Sequence, residues 1–177
     1  MNVTPPSLHG RCTAQAVLPS PFGPLLWVRT AVGIAGMWFH GQKWFPRAFD
    51  APQRPGDPLI EEAAAQLDDY FLGRRRTFDL PVDLHGTAFQ KAVWNALLRI
   101  EPGHTCTYSD IAAAVGLPQA VRAVGAAVGR NPVGIIVPCH RVIGRNGTLT
   151  GYAGGLDRKQ ALLEMEGVCH PQQQSLL

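Results

Sequence analysis

Apolar runs along the chain alternate with turn-forming interruptions. Residues 14–18, 25–30 and 33–39 are short apolar stretches broken by Pro19-Ser20-Pro21 and by a turn around residues 29–33. That spacing predicts a small antiparallel sheet. Residues 45–58, rich in proline, charge and glycine, read as a loop. From Pro58 the period changes: Leu59, Ile60, Ala63, Leu67, Tyr70 and Phe71 recur at helical spacing until Gly73, and proline is well placed at the first position of a helix. Arg74-Arg75-Arg76 follows, either a solvated turn or a phosphate clamp. Phe78, Leu80, Val82 and Leu84 then alternate with Asp79, Pro81 and Asp83. This predicts an edge strand, because Pro81 lacks the amide that a central strand needs.

A boundary falls at His85-Gly86. Beyond it the pattern is helical: Thr87 to Gln90 reads as a capping box, and Phe89, Val93, Trp94, Leu97 and Leu98 fall on one face until Pro102-Gly103. A shorter helix after Thr107 turns Ile111, Ala112 and Val115 inward and stops at Gly116. A third runs from Gln119 to Val128 and ends at Gly129-Arg130-Asn131-Pro132. Residues 133–137 form a continuous apolar run that reads as a buried strand. Two glycine-containing loops follow, at 144–147 and 150–155, either pocket walls or simple connections. Asp157 is placed to cap a last helix carrying Leu162, Leu163 and Met165, which ends at Glu166-Gly167. Residues 168–177 read as a disordered tail. The whole predicts an α+β protein: a scaffold over residues 1–85, a small antiparallel sheet with one helix, then a mostly helical domain over 86–177.

A chain of 177 residues is long enough to bury a real core. It carries no apolar h-region near Met1 and no apolar run of membrane-spanning length, so no membrane partner and a cytoplasmic location are expected. The four cysteines, Cys12, Cys106, Cys139 and Cys169, are far apart and form no Cys-x-x-Cys pair, which excludes a zinc ribbon and a thioredoxin-like motif. A net charge of +3 permits nucleic-acid binding without arguing for it.

The candidate chemistry lies in Pro138-Cys139-His140-Arg141-Val142, where the chain leaves the apolar run. The thiolate is the nucleophilic form of cysteine, and a neighbouring imidazole or a helix N-terminus is the usual means of lowering a thiol pKa. The two helices around Gly116 read as a helix-turn-helix. The second of them is built from Ala120, Val121, Arg122, Ala123, Val124 and Gly125. Apart from Arg122 it lacks the Asn, Gln, Lys and Arg side chains that read bases in the major groove. Such a surface suits close backbone approach to DNA with Arg122 as a single probe, as in base-flipping proteins, or tight packing within the domain with Arg122 in a salt bridge.

Taken together, Gly86-Thr87-x-Phe89-Gln90, Val93-Trp94, Tyr108, Arg122 to Gly125, Asn131-Pro132, Pro138 to Val142, Gly151-Tyr152-x-Gly154-Gly155 and Glu166 resemble the O6-alkylguanine-DNA alkyltransferases. Looser matches, Ser20 to Leu25 and Tyr70-Phe71-x-Gly73, extend the resemblance over nearly the whole chain. It implies a ribonuclease H-like scaffold followed by a winged helix-turn-helix-like domain. It also implies direct repair of double-stranded DNA, by transfer of an alkyl group from O6-alkylguanine, and from O4-alkylthymine, to Cys139.

In that reading His140 acts on Cys139 through a water, Glu166 orients His140, Asn131 lies beside this network, and Tyr108 donates to base N3. Val142, Tyr152 and Ala153 line the base pocket, and Ala153 stands where some members carry serine. Arg122 enters the base stack, with Ala120, Ala123, Gly125 and Arg130 at the DNA surface. No cofactor is implied, the protein is expected to act as a monomer, and no metal is expected, since Cys12, His9, His40 and His85 match no zinc spacing.

Two rivals remain. Alkyltransferase-like lesion sensors share the scaffold but lack the reactive cysteine, whereas this chain has Cys139. A cysteine hydrolase needs its thiol and imidazole to meet across the fold, which adjacent residues do not readily do.

Overall fold

The computed structural model describes residue 8 and residues 10–168. The predicted tail beyond Val168 and the histidine at position 9 lie outside these residues. The chain divides into two compact units: one comprises the residues up to Thr87 together with Pro132–Gly134, the other Ala88–Asn131 and the chain from Ile135 onward.

The first unit is a meander of β1 (Cys12–Leu18), β2 (Leu25–Thr30) and β3 (Ile34–Phe39), antiparallel in the order β1-β2-β3. Every residue of β3 and all but Arg29 of β2 are buried, so these strands are covered on both faces and carry apolar residues at consecutive positions. Leu26, Val28, Ala35 and Trp38 form one core cluster with Leu8 and Phe49, and the Trp38 and Phe49 rings stack at 5.6 Å. Helix α1 (Pro58–Phe71) packs against β1 and β2, burying Ile60, Ala63, Leu67 and Tyr70. Aliphatic side chains the size of Ile60 and Leu67 contribute about 1.5–3 kcal/mol each when fully buried. Asp57 caps the helix by accepting from the amides of Leu59 and Ile60, and Pro58 takes the first helical position.

The basic cluster is tied to this helix. Arg74 pairs with Asp69 at 2.8 Å, and Arg75 donates to the Gln66 side chain and the Thr77 carbonyl. The predicted edge strand over 78–84 requires correction. Only Val82 forms a bridge, in parallel with Ile34, through bonds from the Ile34 amide to the Pro81 carbonyl and from the Asp83 amide to the Ile34 carbonyl. Pro81 offers a carbonyl but no amide, so the ladder does not extend. The approach is so close that a Cβ at Gly33 would lie 2.4 Å from the Pro81 oxygen.

The second unit contains α2 (Ala88–Leu97), β4 (Cys106–Thr107), α3 (Tyr108–Ala114), α4 (Val121–Gly129), β5 (Val142–Ile143) and α5 (Leu156–Met165). Its two short strands, β4 and β5, pair in parallel. Val93, Trp94 and Leu97 of α2 and Val124, Ala127 and Val128 of α4 are buried. The Trp94 indole N–H reaches across to the Ala127 carbonyl at 2.9 Å, which satisfies its one donor inside the core. Helix α3 opens on a complete capping box between Thr107 and Asp110. It closes with bonds from the Gly116 amide to Ala113 and from the Leu117 amide to Ala112, the Schellman arrangement.

Four further expectations need correction. Helix α4 begins at Val121, not Gln119, with Ala120 as a cap that supplies no side-chain bond. Leu98 and Met165 are substantially exposed rather than core residues, because α2 ends at Leu97 and Met165 is the last residue of α5. Helix α5 is preceded by Gly155, and Asp157 lies inside its first turn, where its charge favours the positive end of the helix dipole without capping it. Residues 134–137 form no strand. No helix among the described residues is long and apolar enough to cross a membrane.

Candidate active site

The candidate nucleophile, Cys139, is placed by a tight reversal of the chain. Pro138 has φ −81° and ψ 62°, and the Cys139 amide donates to the Val137 carbonyl at 2.8 Å, an inverse γ-turn. A 3-10 turn over Cys139–Arg141 follows immediately. Just upstream Ile135 is held at φ +65°, a conformation that β-branched residues rarely adopt and that persists only where its surroundings enforce it. The apolar run is therefore buried as predicted but folded into turns, since the fixed ring of Pro138 and its missing amide favour a turn over a ladder.

Cys139 is 6% exposed. The Asn131 side-chain amide donates both to its sulfur, at 3.1 Å, and to the Val137 carbonyl, at 2.7 Å. Burial pushes the thiol above its ordinary value, while the bond from Asn131, the charge of Lys159 and the backbone amides of Cys139 and His140 oppose that rise.

His140 is fully buried. Its Nε2 lies 2.9 Å from Glu166 Oε1, and burial lowers the imidazole below its ordinary value against the opposing pull of Glu166. A neutral ring that donates from Nε2 to the carboxylate keeps a lone pair on Nδ1. Nδ1 is the buried side-chain nitrogen that finds no hydrogen-bond partner among the described residues.

Glu166 is positioned by the end of α5. Gly167, at φ +83°, donates to Glu164, and Val168 donates to Leu163, a Schellman close that glycine adopts without a Cβ penalty. The Glu166 carboxylate also receives a two-pronged bond from Arg141, at 2.8 Å from both Nε and Nη2. Arg141, 5% exposed, sends Nη1 to the Ile100 carbonyl. The fork of a guanidinium matches a carboxylate in this way, so the carboxylate stays charged inside the core.

Tyr108, at the start of α3, donates its hydroxyl to the Thr150 carbonyl at 3.1 Å and lies 3.4 Å from that of Gly151. Burial raises its pKa, with Cys139 and Cys106 adding to the rise. Val142 is buried and its carbonyl accepts from Lys159 Nζ. Tyr152 and Ala153 are half-buried in the loop that follows. On α4, Arg122, Ala123 and Arg130 are exposed, and Ala120 and Gly125 are half-exposed. Arg122 has no hydrogen-bond or ion-pair partner among the described residues, which removes the salt-bridge reading of that helix.

The structure thus gathers into one cluster two bonded pairs, Asn131 with Cys139 and His140 with Glu166, linked through the Cys139–His140 peptide, and sets the α4 residues on an outer surface. Two charged residues of this cluster escaped the sequence reading: Arg141, inside the Pro138 to Val142 motif, and Lys159. The signal for Lys159 was its spacing, because Lys159, Leu162, Leu163 and Glu166 share one face of α5 and are all buried. Among the possible zinc ligands, Cys12 donates to the Leu8 carbonyl, His40 packs on Phe45 and His85 pairs with Asp83.

Comparison with known proteins agrees with this arrangement. Residues 14–84 match the ribonuclease-like domain of 6-O-methylguanine DNA methyltransferase, and residues 88–168 match its DNA binding domain. A methylated-DNA–protein-cysteine methyltransferase of Methanosarcina acetivorans is 47% identical over 156 residues, covering 87% of this chain and 98% of that protein. One from Mycobacterium tuberculosis is 46% identical over 149 residues, covering 84% and 89%. The crystal structure of M. tuberculosis OGT in complex with DNA superposes with a TM-score of 0.81 at 44% identity, over 87% of this chain and 92% of that one. Both halves of the chain, the cysteine cluster in the second included, therefore place the protein in the 6-O-methylguanine DNA methyltransferase family.

Proposed function

We propose that the protein repairs DNA by direct, single-turnover transfer of an alkyl group from O6 of guanine to Cys139. The observation that carries this reading is the sulfur itself: Asn131 donates to it, and His140, Glu166 and Arg141 form a bonded chain beside it. Residues 1–85 serve as scaffold and residues 86–177 as the DNA-binding and acceptor domain. The protein acts as a monomer on double-stranded DNA, in the reducing cytoplasm, where its thiols stay free.

In this mechanism the thiol proton passes through a water to Nδ1 of His140, and Glu166 stabilises the imidazolium that forms. A sulfur lone pair then forms the S–C bond to the alkyl carbon as the C–O6 bond breaks, and its electron pair remains on guanine. Tyr108 donates its hydroxyl proton to N3, which relieves the developing charge, and regains a proton from the imidazolium. Overall the thiol's proton ends on guanine and the sulfur becomes a thioether.

The lesion reaches the thiol by leaving the duplex, at a cost of about a few kcal/mol for unstacking. Arg122 fills the vacated stack, while Ala120, Ala123, Gly125 and Arg130 allow close approach of α4 to the backbone. Val142, Tyr152 and Ala153 line the base pocket. The Val142 carbonyl, already accepting from Lys159, keeps a second lone pair for the guanine amine. O4-alkylthymine fits the same chemistry.

Intact-mass measurement after incubation with a duplex containing O6-methylguanine tests the reading, with Cys139→Ser as control. A gain of one methyl mass mapped to Cys139, absent in the control, is expected. Tight lesion binding with no mass gain would make the protein a lesion sensor instead.

A further inference from the structure

Lys159 is fully buried on α5, yet no carboxylate pairs with it among the described residues. Its ammonium donates to two backbone carbonyls, those of Val142 and Thr150. Carbonyls satisfy donors but do not neutralise charge, and an unneutralised buried cation is costly. The nearby carboxylate, Glu166, is already engaged by Arg141 and His140. The ammonium reaches the turn that carries Cys139: the Val142 residue whose carbonyl it bonds closes that turn by donating its amide to the Cys139 carbonyl, and the charges of Lys159 and Cys139 act on each other.

We propose that Lys159 is the counter-charge of the Cys139 thiolate, a positioning residue that favours ionisation of the acceptor sulfur and holds the two carbonyls around it. The ammonium is carried by α5 and anchored on the Val142 carbonyl, at the end of the Cys139–Arg141 turn. Burial lowers Lys159 to about 8, and the Cys139 charge opposes that fall. The interaction is felt in the other direction as well, since Lys159 lowers the thiol. Of the other groups nearby, Tyr108 on α3 responds to Cys139, and His140 responds to Lys159 and Arg141. His140, neutral at neutral pH, accepts the thiol proton, and Lys159 supplies the fixed positive charge that stabilises what remains. A second consequence concerns Tyr108. Its hydroxyl and the Lys159 ammonium share the Thr150 carbonyl, so the same lysine holds the acceptor on which the proposed proton donor rests.

This inference rests on Cys139 being the alkyl acceptor, and it is tested without DNA so that the two readings fail separately. The rate of iodoacetamide modification at Cys139, resolved by peptide mass spectrometry, is followed against pH in the native chain, Lys159→Met and Lys159→Arg. Lys159→Met is expected to move the profile up by about one pH unit or more, a roughly tenfold slower reaction at fixed pH below the inflection. Lys159→Arg, which keeps the charge, is expected to recover most of that loss. An unmoved profile in a folded Lys159→Met protein overturns the proposal, as does an arginine variant no better than methionine.

Should Lys159→Met not fold, the reciprocal measurement decides. Coupling between two titrating sites is mutual, so NMR of isotope-labelled lysine should show Lys159 titrating at lower pH in Cys139→Ser than in the native chain. Identical Lys159 titration in the two proteins overturns the proposal. Methyl transfer from an O6-methylguanine duplex, measured on the native chain, reports separately on whether Cys139 is the acceptor.

Discussion

Asn131 holds the sulfur of Cys139 and the carbonyl of Val137 with the same side-chain nitrogen. One residue at the end of the helix-turn-helix therefore ties both the Cys139 sulfur and the turn that carries it. Asn131→Ala removes one of the two bonds to the Val137 carbonyl, which still accepts from the Cys139 amide, so the loss of that bond should cost about 0.5–1.5 kcal/mol of stability. It also removes the donor that favours the thiolate. Denaturant unfolding together with the rate of methyl transfer checks both effects. Unchanged transfer in a folded variant would remove Asn131 from the mechanism.

His140 and Glu166 make stability depend on pH in a defined direction. The folded imidazole titrates below its ordinary value, so between the two values the unfolded chain binds the extra proton. Stability should therefore be complete above the unfolded value of about 6.5 and decline as pH falls through and below it. Denaturation midpoints across mildly acidic pH measure the slope, and His140→Gln should flatten it. Glu166→Gln removes the charge opposite buried Arg141, and breaking such a pair costs about 3–5 kcal/mol.

Tyr108 and its acceptor, the Thr150 carbonyl, separate chemistry from binding. Tyr108→Phe keeps the ring on α3 and removes only the hydroxyl. Methyl transfer should slow about 10²-fold while affinity for the lesion duplex stays close to native. The single-turnover rate and the equilibrium binding of the same duplex, measured side by side, distinguish a proton donor from a contact residue. Equal losses in both would assign Tyr108 to binding alone.

Arg122 is exposed on α4, so its replacement should leave the fold within about 0.5 kcal/mol of native. Arg122→Ala should slow transfer from a lesion inside a duplex far more than from the free modified base, which needs no flipping. A similar loss with both substrates would place the defect in the pocket instead.

The chain's own pattern determined a great deal. The positions of β1 to β3, α1 and the helix-turn-helix follow from where apolar residues recur and where glycine and proline interrupt them, because local periodicity decides which face of an element can be buried. Cys139, His140, Asn131, Tyr108 and Glu166 were legible as residue types in order along the chain.

Tertiary structure decided what periodicity does not encode. Residues 133–137 are as apolar as a strand, yet their pairing with β3 stops at a single Val133–Met37 bridge and the Gly134 amide, and Pro138 turns the chain into the γ-turn at the sulfur. Pro81 limits residues 78–84 to a single bridge for a related reason, since a ladder needs amides as well as carbonyls. Arg141 and Lys159 show no partner in sequence, because a charged side chain reveals its partner only once distant segments meet. The Glu166 carboxylate lies 25 residues from Arg141, and the Val142 carbonyl lies 17 residues from Lys159. The sequence by itself set Cys139 in its order among the motifs; the pairing of the charges around it exists only in the folded chain, because burial is what makes them cost energy and therefore what makes them pair.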